Sequence, residues 1–229
     1  MTTPVFVVGD VHGHRDVLAS LLREAGLIDA GEAWSGADAV LWLVGDLVDR
    51  GPDGIGAIDL VRRLERESAG SVRCLRGTHE AFLLSVYRFG DRDTSFPGTT
   101  FRDVWQMNGG VEADLSGLTP EHVEWVLARP AVAREGEWLL VHADTTAYLR
   151  YGDSVDAVNE TIAALLGGLG GTRIVHGHTP IASVLEVDPR EVTAPLVYSD
   201  GRVWNVDHCL FAGGPGFVTR LDGGSGAEA

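Results

Sequence analysis

The chain has little of three things that whole classes of protein require: cysteine, long apolar segments and basic residues. Its 229 residues contain two cysteines, Cys74 and Cys209, which is too few for the disulfide framework of a small secreted protein. No apolar stretch is long enough to cross a bilayer. Residues 1–4 lead directly into an apolar segment and lack the basic and long apolar regions of a signal peptide. We therefore expect a cytoplasmic protein that has no membrane partner and keeps both cysteines in its core.

The shortage of basic residues limits the choice of partners. Lys and Arg together number 18 against 33 Asp and Glu, a formal net charge of −15 at pH 7. This balance disfavours nucleic-acid binding, which needs basic patches. A phosphorylated ligand remains compatible with it, because bound divalent cations and a few arginines reverse the local field at a site. The length fits one large domain, which we place at residues 1–221, with a flexible glycine-rich tail at 222–229.

Five short apolar segments each run into residues that can bind a metal. Residues 5–8 precede Asp10 and His12, 40–44 precede Asp46, 72–75 precede His79, 138–141 precede His142, and 173–175 precede His178. Apolar runs of this length bounded by glycine are typical of buried strands. If these strands share one sheet, their carboxyl ends bring all six side chains to one rim, where ligands gather in open sheets.

Helical patterns separate the first strands. Residues 14–25 and 80–88 have the spacing of helices, and Ile55, Ile58, Val61 and Leu64 form an apolar stripe after a capping Asp53. Alternation of strand and helix predicts an α/β fold with parallel pairing.

The second half of the sequence breaks this alternation. Residues 89–130 predict a helical insertion beside the rim, with one helix beginning at Thr119-Pro120. Further patterns predict a helix at 154–166, a hairpin at 197–204 about Asp200-Gly201, and a last strand at 217–221.

The residue types at the rim suit a dinuclear metal centre. Aspartate and histidine together bind divalent transition metals, and a carboxylate can bridge two ions. Two metals about 4 Å apart can activate a shared water and hold a phosphoryl oxygen.

The motifs around these residues resemble a known family. They are Gly-Asp-Val-His-Gly at 9–13, Gly-Asp-Leu-Val-Asp-Arg-Gly at 45–51, Leu-Arg-Gly-Thr-His-Glu at 75–80, Val-His-Ala at 141–143 and Gly-His-Thr at 177–179. In order and spacing they are similar to the phosphoprotein phosphatase family of the calcineurin-like metallophosphoesterases, over about residues 5–221. Asp49-Arg50-Gly51 favours the phosphatase branch, and Trp-Gln-Met-Asn-Gly-Gly at 105–110 is similar to the bacterial type. The resemblance implies an α/β metallophosphoesterase fold: two packed β-sheets flanked by helices, with a helical insertion.

The resemblance also implies a ligand set for two divalent metal ions. Asp10 and His12 would hold the first ion, Asp46 would bridge both, and His142 and His178 would hold the second. The ions would be Mn²⁺ first of all, with Fe or Zn²⁺ as alternatives.

The same resemblance implies the catalytic groups. His79 would be the general acid, oriented by Asp49, while hydroxide held between the metals attacks phosphorus in line. Arg50 and Arg76 would clamp phosphate oxygens, as the guanidinium fork does. Arg150 is a further candidate for this contact.

One ligand position departs from the family pattern. The family has Gly-Asn-His-Glu where this chain has Gly-Thr-His-Glu, so Thr78 occupies the position of an asparagine that gives its amide oxygen to the second metal. The hydroxyl of threonine is one bond nearer the backbone and is a poorer ligand. We expect a weaker second site and reduced activity. Asp207-His208 also differs from the usual Asp-Thr-Gly.

The sequence thus predicts metal-dependent hydrolysis of phosphomonoesters, with a phosphorylated protein (Ser, Thr or Tyr) or a small phosphate ester as substrate. Two alternatives stay open. One is symmetrical hydrolysis of diadenosine polyphosphates, which similar bacterial members perform. The other is a catalytically weakened protein that binds phosphorylated ligands because Thr78 has disabled the second metal site.

Overall fold

The computed structural model describes residues 3–143 and 173–221. The helix predicted at 154–166, the candidate Arg150 and the tail at 222–229 lie outside these residues.

The first sheet has four strands in the order β3-β2-β1-β9. They are β1 (Val5–Val8), β2 (Val40–Leu43), β3 (Val72–Cys74) and β9 (Thr219–Arg220). The first three are parallel, and β9 pairs antiparallel with β1. The strand predicted at 217–221 is therefore confirmed in a shorter form.

The second sheet has five strands in the order β4-β5-β6-β8-β7. They are β4 (Val132–Glu135), β5 (Trp138–Val141), β6 (Arg173–His176), β7 (Leu196–Tyr198) and β8 (Val203–Asn205). The three inner strands are parallel and both edge strands are antiparallel to their neighbours. The hairpin predicted about Asp200-Gly201 forms β7 and β8, whereas the sequence patterns did not indicate β4.

The five rim segments are divided between the two packed sheets that the family resemblance implies, so the single sheet considered for them above does not form. Three of the strands belong to the first sheet and two, β5 and β6, to the second. Apolar periodicity predicts that a segment is a buried strand but carries no information about its neighbour. The strand ends still meet, because the sheets pack face to face through a shared core. This core consists of Val7, Val40, Trp42, Val44, Leu75, Trp138, Leu140, Val175, Val206 and Leu221.

Helices cover the other face of the first sheet. They are α1 (Arg15–Glu24), α2 (Gly54–Glu67) and α3 (Thr78–Phe89). The carboxylate of Asp53 caps α2 by accepting from the amide of Gly56 at 2.9 Å, as its position predicts. Helix α3 begins two residues before its predicted start, so Thr78, His79 and Glu80 all lie in its first turn.

The predicted helical insertion is confirmed as three short helices. They are α4 (Phe101–Met107), α5 (Glu112–Gly117) and α6 (Pro120–Leu127), and α4 packs against α3. The hydroxyl of Thr119 accepts from the amide of His122 and begins α6. A further short helix, α7, spans Ile181–Leu185. Within the described ranges, no helix is both long and apolar enough to cross a membrane.

Candidate metal and active site

The loops that follow the strands carry unusual backbone angles. At the rim, five residues that are not glycine have positive φ: His12 (44°), Asp46 (52°), Asp49 (65°), Arg50 (64°) and His178 (65°). Each such conformation costs on the order of 1–3 kcal/mol and persists only where the surroundings enforce it. Their concentration at one rim indicates that the fold keeps the backbone strained there in order to place these side chains.

Two glycines let the strand-end loops approach the acidic side chains. A Cβ atom at Gly177 would lie 2.0 Å from Oδ1 of Asp10, and one at Gly77 would lie 2.2 Å from Oδ1 of Asp46. Both distances are far below van der Waals contact. These motif glycines are therefore needed where the chain passes directly over the carboxylates.

The rim brings together two groups of ligand atoms, each within 4.8 Å of one another. The first group is His12, Asp46 and His79, and the second is Asp46, His142 and His178. Asp46 thus belongs to both.

Asp10 lies beside the first group and links it to the second. Its Oδ2 is 3.9 Å from Nε2 of His12, and its carboxylate accepts from the backbone amide of His178 at 3.0 Å.

Two histidines are held in one tautomer. Nδ1–H of His12 donates to the carbonyl of Val48 at 3.1 Å, and Nδ1–H of His142 donates to that of Val44 at 2.9 Å. A carbonyl can only accept, so Nε2 carries the lone pair in both neutral rings. These nitrogens face Oδ2 of Asp46 at 3.8 Å and 3.3 Å. Orientation of a ring through its other nitrogen is the usual arrangement for a metal-binding histidine.

The charges at the rim favour a bound cation. Burial, and then the charge of Asp207, raises the pKa of Asp10 well above its usual value, and burial raises that of Asp207 to about 6. Burial alone would lower the pKa of His142, but the adjacent Asp46 carboxylate raises it to about 10. Nε2 of His142 is buried without a hydrogen bond to any described residue. Crowded carboxylates and an unsatisfied imidazole nitrogen fit divalent transition metals.

His79 and Asp49 form a buried pair at the edge of this cluster. Nδ1–H of His79 donates to Oδ2 of Asp49 at 2.9 Å. The backbone amide of His79 donates to Oδ1 of Asp46 at 2.7 Å, and its ring lies 4.6 Å from that of His12, measured between centroids. The pair therefore stands beside the candidate metal ligands without being exposed.

The two arginines predicted to contact phosphate, Arg50 and Arg76, lie in different places. Nη1 of Arg50 is 3.1 Å from Nε2 of His12, and its guanidinium stacks 4.3 Å from the ring centroid of Phe211. Arg50 thus reaches the cluster. Arg76 lies against α6 instead, where Nη1 donates to the carbonyl of Leu127 at 3.5 Å. Thr78 faces the second group: Oγ1 is 3.4 Å from Nδ1 of His178.

Sequence reasoning missed the role of Glu80. This buried carboxylate accepts from the amides of Asp46 (2.9 Å), Leu47 (2.6 Å) and Gly77 (2.7 Å). It therefore ties the loop after β2 to the start of α3. The available signal was a glutamate at the third position of a helix, which is the glutamate half of the capping-box pattern; the N-cap, Gly77, has no side chain to form the other half.

It also missed Asp114 in α5, which carried no comparable signal. Its carboxylate accepts from the amides of Asp49 (2.8 Å) and Gly54 (3.0 Å), more than 55 residues earlier in the chain. No local pattern reveals a contact of that sequence separation.

Replacing Asp114 with alanine should lower the free energy of unfolding by about 3 kcal/mol, because two buried amides lose their acceptor. Urea denaturation would measure the loss. Ser116→Ala, an exposed change on the same helix, serves as the control and should stay within about 0.5 kcal/mol of the unaltered protein. Equal stability of the two variants would contradict the structural role given to Asp114.

Comparison with known proteins gives the family of this chain. The calcineurin-like phosphoesterase model matches residues 3–213. The serine/threonine-protein phosphatase 1 of Salmonella typhimurium is 28% identical over 195 residues, covering 77% of this chain and 79% of that protein. A symmetrical bis(5'-nucleosyl)-tetraphosphatase of Neisseria gonorrhoeae is 28% identical over 162 residues, covering 71% of this chain but 51% of that protein. The chain thus spans about half the length of this relative.

Solved structures share the fold. A cold-active protein-tyrosine phosphatase of a Shewanella species has a TM-score of 0.68 at 20% identity, covering 96% of this chain and 76% of that one. A putative diadenosine tetraphosphatase has a TM-score of 0.54 at 19% identity, covering 99% and 96%. The family model extends over nearly all the described residues and includes the Asp and His clusters of both sheets. The predicted family and fold are confirmed: the chain belongs to the calcineurin-like phosphoesterases and is a metal-dependent hydrolase of phosphate esters.

Proposed function

We propose that the protein is a phosphatase that hydrolyses phosphomonoesters, with a phosphorylated Ser, Thr or Tyr side chain of a protein, or a small phosphate ester, as its substrate. One observation carries this proposal: the buried His79–Asp49 pair stands directly beside the Asp and His clusters that share Asp46. A cation site and a proton donor are thereby placed around one position. The similarity to a serine/threonine phosphatase, which extends over most of both chains, supports the same reaction.

The residues at the rim divide into two candidate ligand sets. Asp10, His12 and Asp46 would hold one divalent ion, and Asp46, His142 and His178 would hold the other. Mn²⁺ is our first choice for both, with Fe or Zn²⁺ as alternatives, since carboxylate with imidazole suits these ions. When bound, the ions supply activation of water and neutralisation of the charge on the phosphoryl oxygens.

The remaining side chains would contact the phosphate and transfer the proton. Because Nδ1–H of His79 donates a hydrogen bond to Asp49, Nε2 of His79 is the nitrogen that can deliver a proton to the leaving oxygen. Asp49 holds the ring in this orientation. Arg50, which already lies against His12, is placed to contact a phosphate oxygen. Arg76 would have to turn away from the Leu127 carbonyl to do the same.

Symmetrical cleavage of diadenosine tetraphosphate is the second candidate, because tetraphosphatase relatives match 71% of this chain. Roughly half of that relative has no counterpart in the match, which is why we place it second. Assays in Mn²⁺ with a phosphopeptide, an aryl phosphate and diadenosine tetraphosphate separate the two. Release of inorganic phosphate from the first two supports the proposal. Turnover of the dinucleotide alone to two ADP would replace it.

Restoring asparagine at position 78 should strengthen the second metal site. Thr78 currently sits 3.4 Å from the His178 ring, while an amide side chain reaches one bond further and offers a better oxygen donor. We expect tighter binding of the weaker Mn²⁺ ion in Thr78→Asn by calorimetric titration. Turnover at saturating metal should rise, by up to the order of 10²-fold.

Thr78→Val is the matched control, because it keeps the branched shape and removes the hydroxyl. It should show no gain in metal affinity. If the unaltered protein and Thr78→Asn bind two ions equally tightly and turn over equally fast, threonine is a competent residue here. Phosphate-ligand binding without turnover in the unaltered protein would instead favour the weakened, ligand-binding alternative.

A further inference from the structure

Trp105 lies outside both ligand groups but contacts the catalytic pair. It belongs to α4 in the helical insertion and is completely buried. Its indole Nε1–H donates to Oδ1 of Asp49 at 2.9 Å. The other carboxylate oxygen, Oδ2, accepts from Nδ1–H of His79 at the same distance. Each oxygen of Asp49 therefore has its own strong donor, one from the insertion and one from α3.

The insertion makes two further contacts with Asp49, one to its side chain and one to its backbone. The amide of Val111 approaches Oδ1 at 3.4 Å, and the carboxylate of Asp114 accepts from the Asp49 amide at 2.8 Å. The terminal torsion of an aspartate has a broad, roughly two-fold preference, so the side chain alone does not fix the carboxylate plane. The two shorter contacts, from the indole and the imidazole at 2.9 Å each, fix it here. Without the indole, only the His79 contact and the longer Val111 contact would hold the plane.

The turn after α4 shows that Trp105 is placed together with Arg50. A Cβ atom at Gly110 would lie 2.3 Å from the Trp105 ring, and one at Gly109 would lie 2.8 Å from Cγ of Arg50. The carbonyl of Gly109 accepts from the Arg50 amide at 2.8 Å. The Asn-Gly-Gly sequence that follows Trp105 therefore shapes both the indole contact and the arginine contact.

We infer that Trp105 is a positioning residue of the reaction: its indole N–H fixes the carboxylate of Asp49, and Asp49 in turn fixes the imidazole of His79 toward the leaving oxygen. This rests on the proposed function only in that His79 is the general acid. Trp105 acts through Asp49 and does not touch the substrate. The insertion thereby sets the geometry of proton delivery from a part of the chain that supplies none of the candidate metal ligands.

The first test needs no substrate. In Zn²⁺-loaded protein, which is diamagnetic, the proton between His79 and Asp49 should give a downfield ¹H resonance that is missing in His79→Asn. Trp105→Phe should shift this resonance or broaden it away. Trp125→Phe is the matched control, since it removes an indole donor to Glu65 (2.6 Å) far from the pair, and should leave the resonance unchanged. An unchanged resonance in Trp105→Phe would overturn the inference.

The second test separates proton delivery from binding. Trp105→Phe should lower kcat for an alkyl phosphate by roughly 10-fold, a part of the 10²–10⁴ that positioned proton transfer contributes, with little change in KM. It should change kcat for an activated aryl phosphate by less than about 3-fold, because that leaving group departs without a proton. In the His79→Asn background the same substitution should have no further effect.

The outcomes keep the two proposals apart. If His79→Asn loses alkyl phosphate turnover selectively but Trp105→Phe behaves like Trp125→Phe, the positioning role is wrong and the proposed function stands. If His79→Asn slows both substrates equally, His79 is not the general acid and the positioning role fails with it, while release of phosphate from both substrates by the unaltered protein still supports the phosphatase. Should Trp105→Phe not fold, 3-benzothienylalanine at position 105 keeps the bicyclic shape without the N–H. It must then reproduce the loss.

Discussion

Exchange of His79 for asparagine should slow hydrolysis of alkyl phosphates by about 10²–10⁴-fold and that of activated aryl phosphates far less. The contribution of a general acid grows with the basicity of the leaving oxygen. A series of esters with leaving groups of rising pKa measures this directly, as a steeper dependence of log kcat on leaving-group pKa in the variant. Equal losses across the series would indicate a structural role for His79.

The metal content of the same variant decides a second question. The structure places a ring nitrogen of His79 within 4.8 Å of ligand atoms from His12 and Asp46, which is also the arrangement of a metal ligand. A general acid can be removed without loss of an ion, whereas a ligand cannot. We expect His79→Asn to retain two ions, because Asp10 completes the first set. Loss of one ion would assign His79 to the metal.

The strands and the candidate site residues could be predicted because both leave local patterns in the sequence. Runs such as residues 40–44 are short and apolar, as buried strands are, and the Asp or His that follows each run supplied the candidate site residues. Sheet membership was not predictable, since β5 and β6 look like β1 and β2 in sequence. Strand β4 was missed because its sequence, Val-Ala-Arg-Glu, shows no alternation of apolar and polar residues.

The residues that support the site were harder to find than those that form it. The sequence marked Trp105 only as the start of the motif that is similar to the bacterial type, and the structure shows a buried ring whose indole N–H donates to Asp49. His176 and His208 are both fully buried, and the sequence did not distinguish His208 from a surface histidine. The contact between Trp105 and Asp49 spans 56 residues of the chain, and long-range contacts of this kind leave no periodic trace.

Charge explains why the cations are central to this protein. A phosphate ester is an anion, the chain carries −15, and Asp10, Asp46 and Asp207 are all buried at the rim. Among the described side chains that reach the clusters, Arg50 is the permanent cation. One guanidinium does not offset three carboxylates and the incoming phosphate. Two divalent ions would reverse the field there, so the carboxylate shared by both ligand groups should be the most sensitive position of the site.

Replacing that shared carboxylate, Asp46, with asparagine should therefore lower metal occupancy at both positions. The asparagine side chain keeps the size of the aspartate. Its Oδ1 can still accept from the backbone amide of His79, which lies 2.7 Å from Oδ1 of Asp46 in the unaltered protein, so α3 should begin normally. The negative charge that faces Nε2 of both His12 and His142 is lost. Because metal ions contribute several kcal/mol of transition-state stabilisation, turnover should fall by roughly 10³-fold or more.

Elemental analysis after dialysis against limiting Mn²⁺ would count the ions, with a denaturation curve to confirm that the variant is folded. Asp10→Asn is the informative comparison, because Asp10 would serve the first ion alone. We expect that variant to lose one ion and Asp46→Asn to lose occupancy at two. Loss of a single ion in both variants would place Asp46 in one site only. Unchanged stoichiometry in Asp46→Asn would remove it from the ligand set, since no other described carboxylate belongs to both groups.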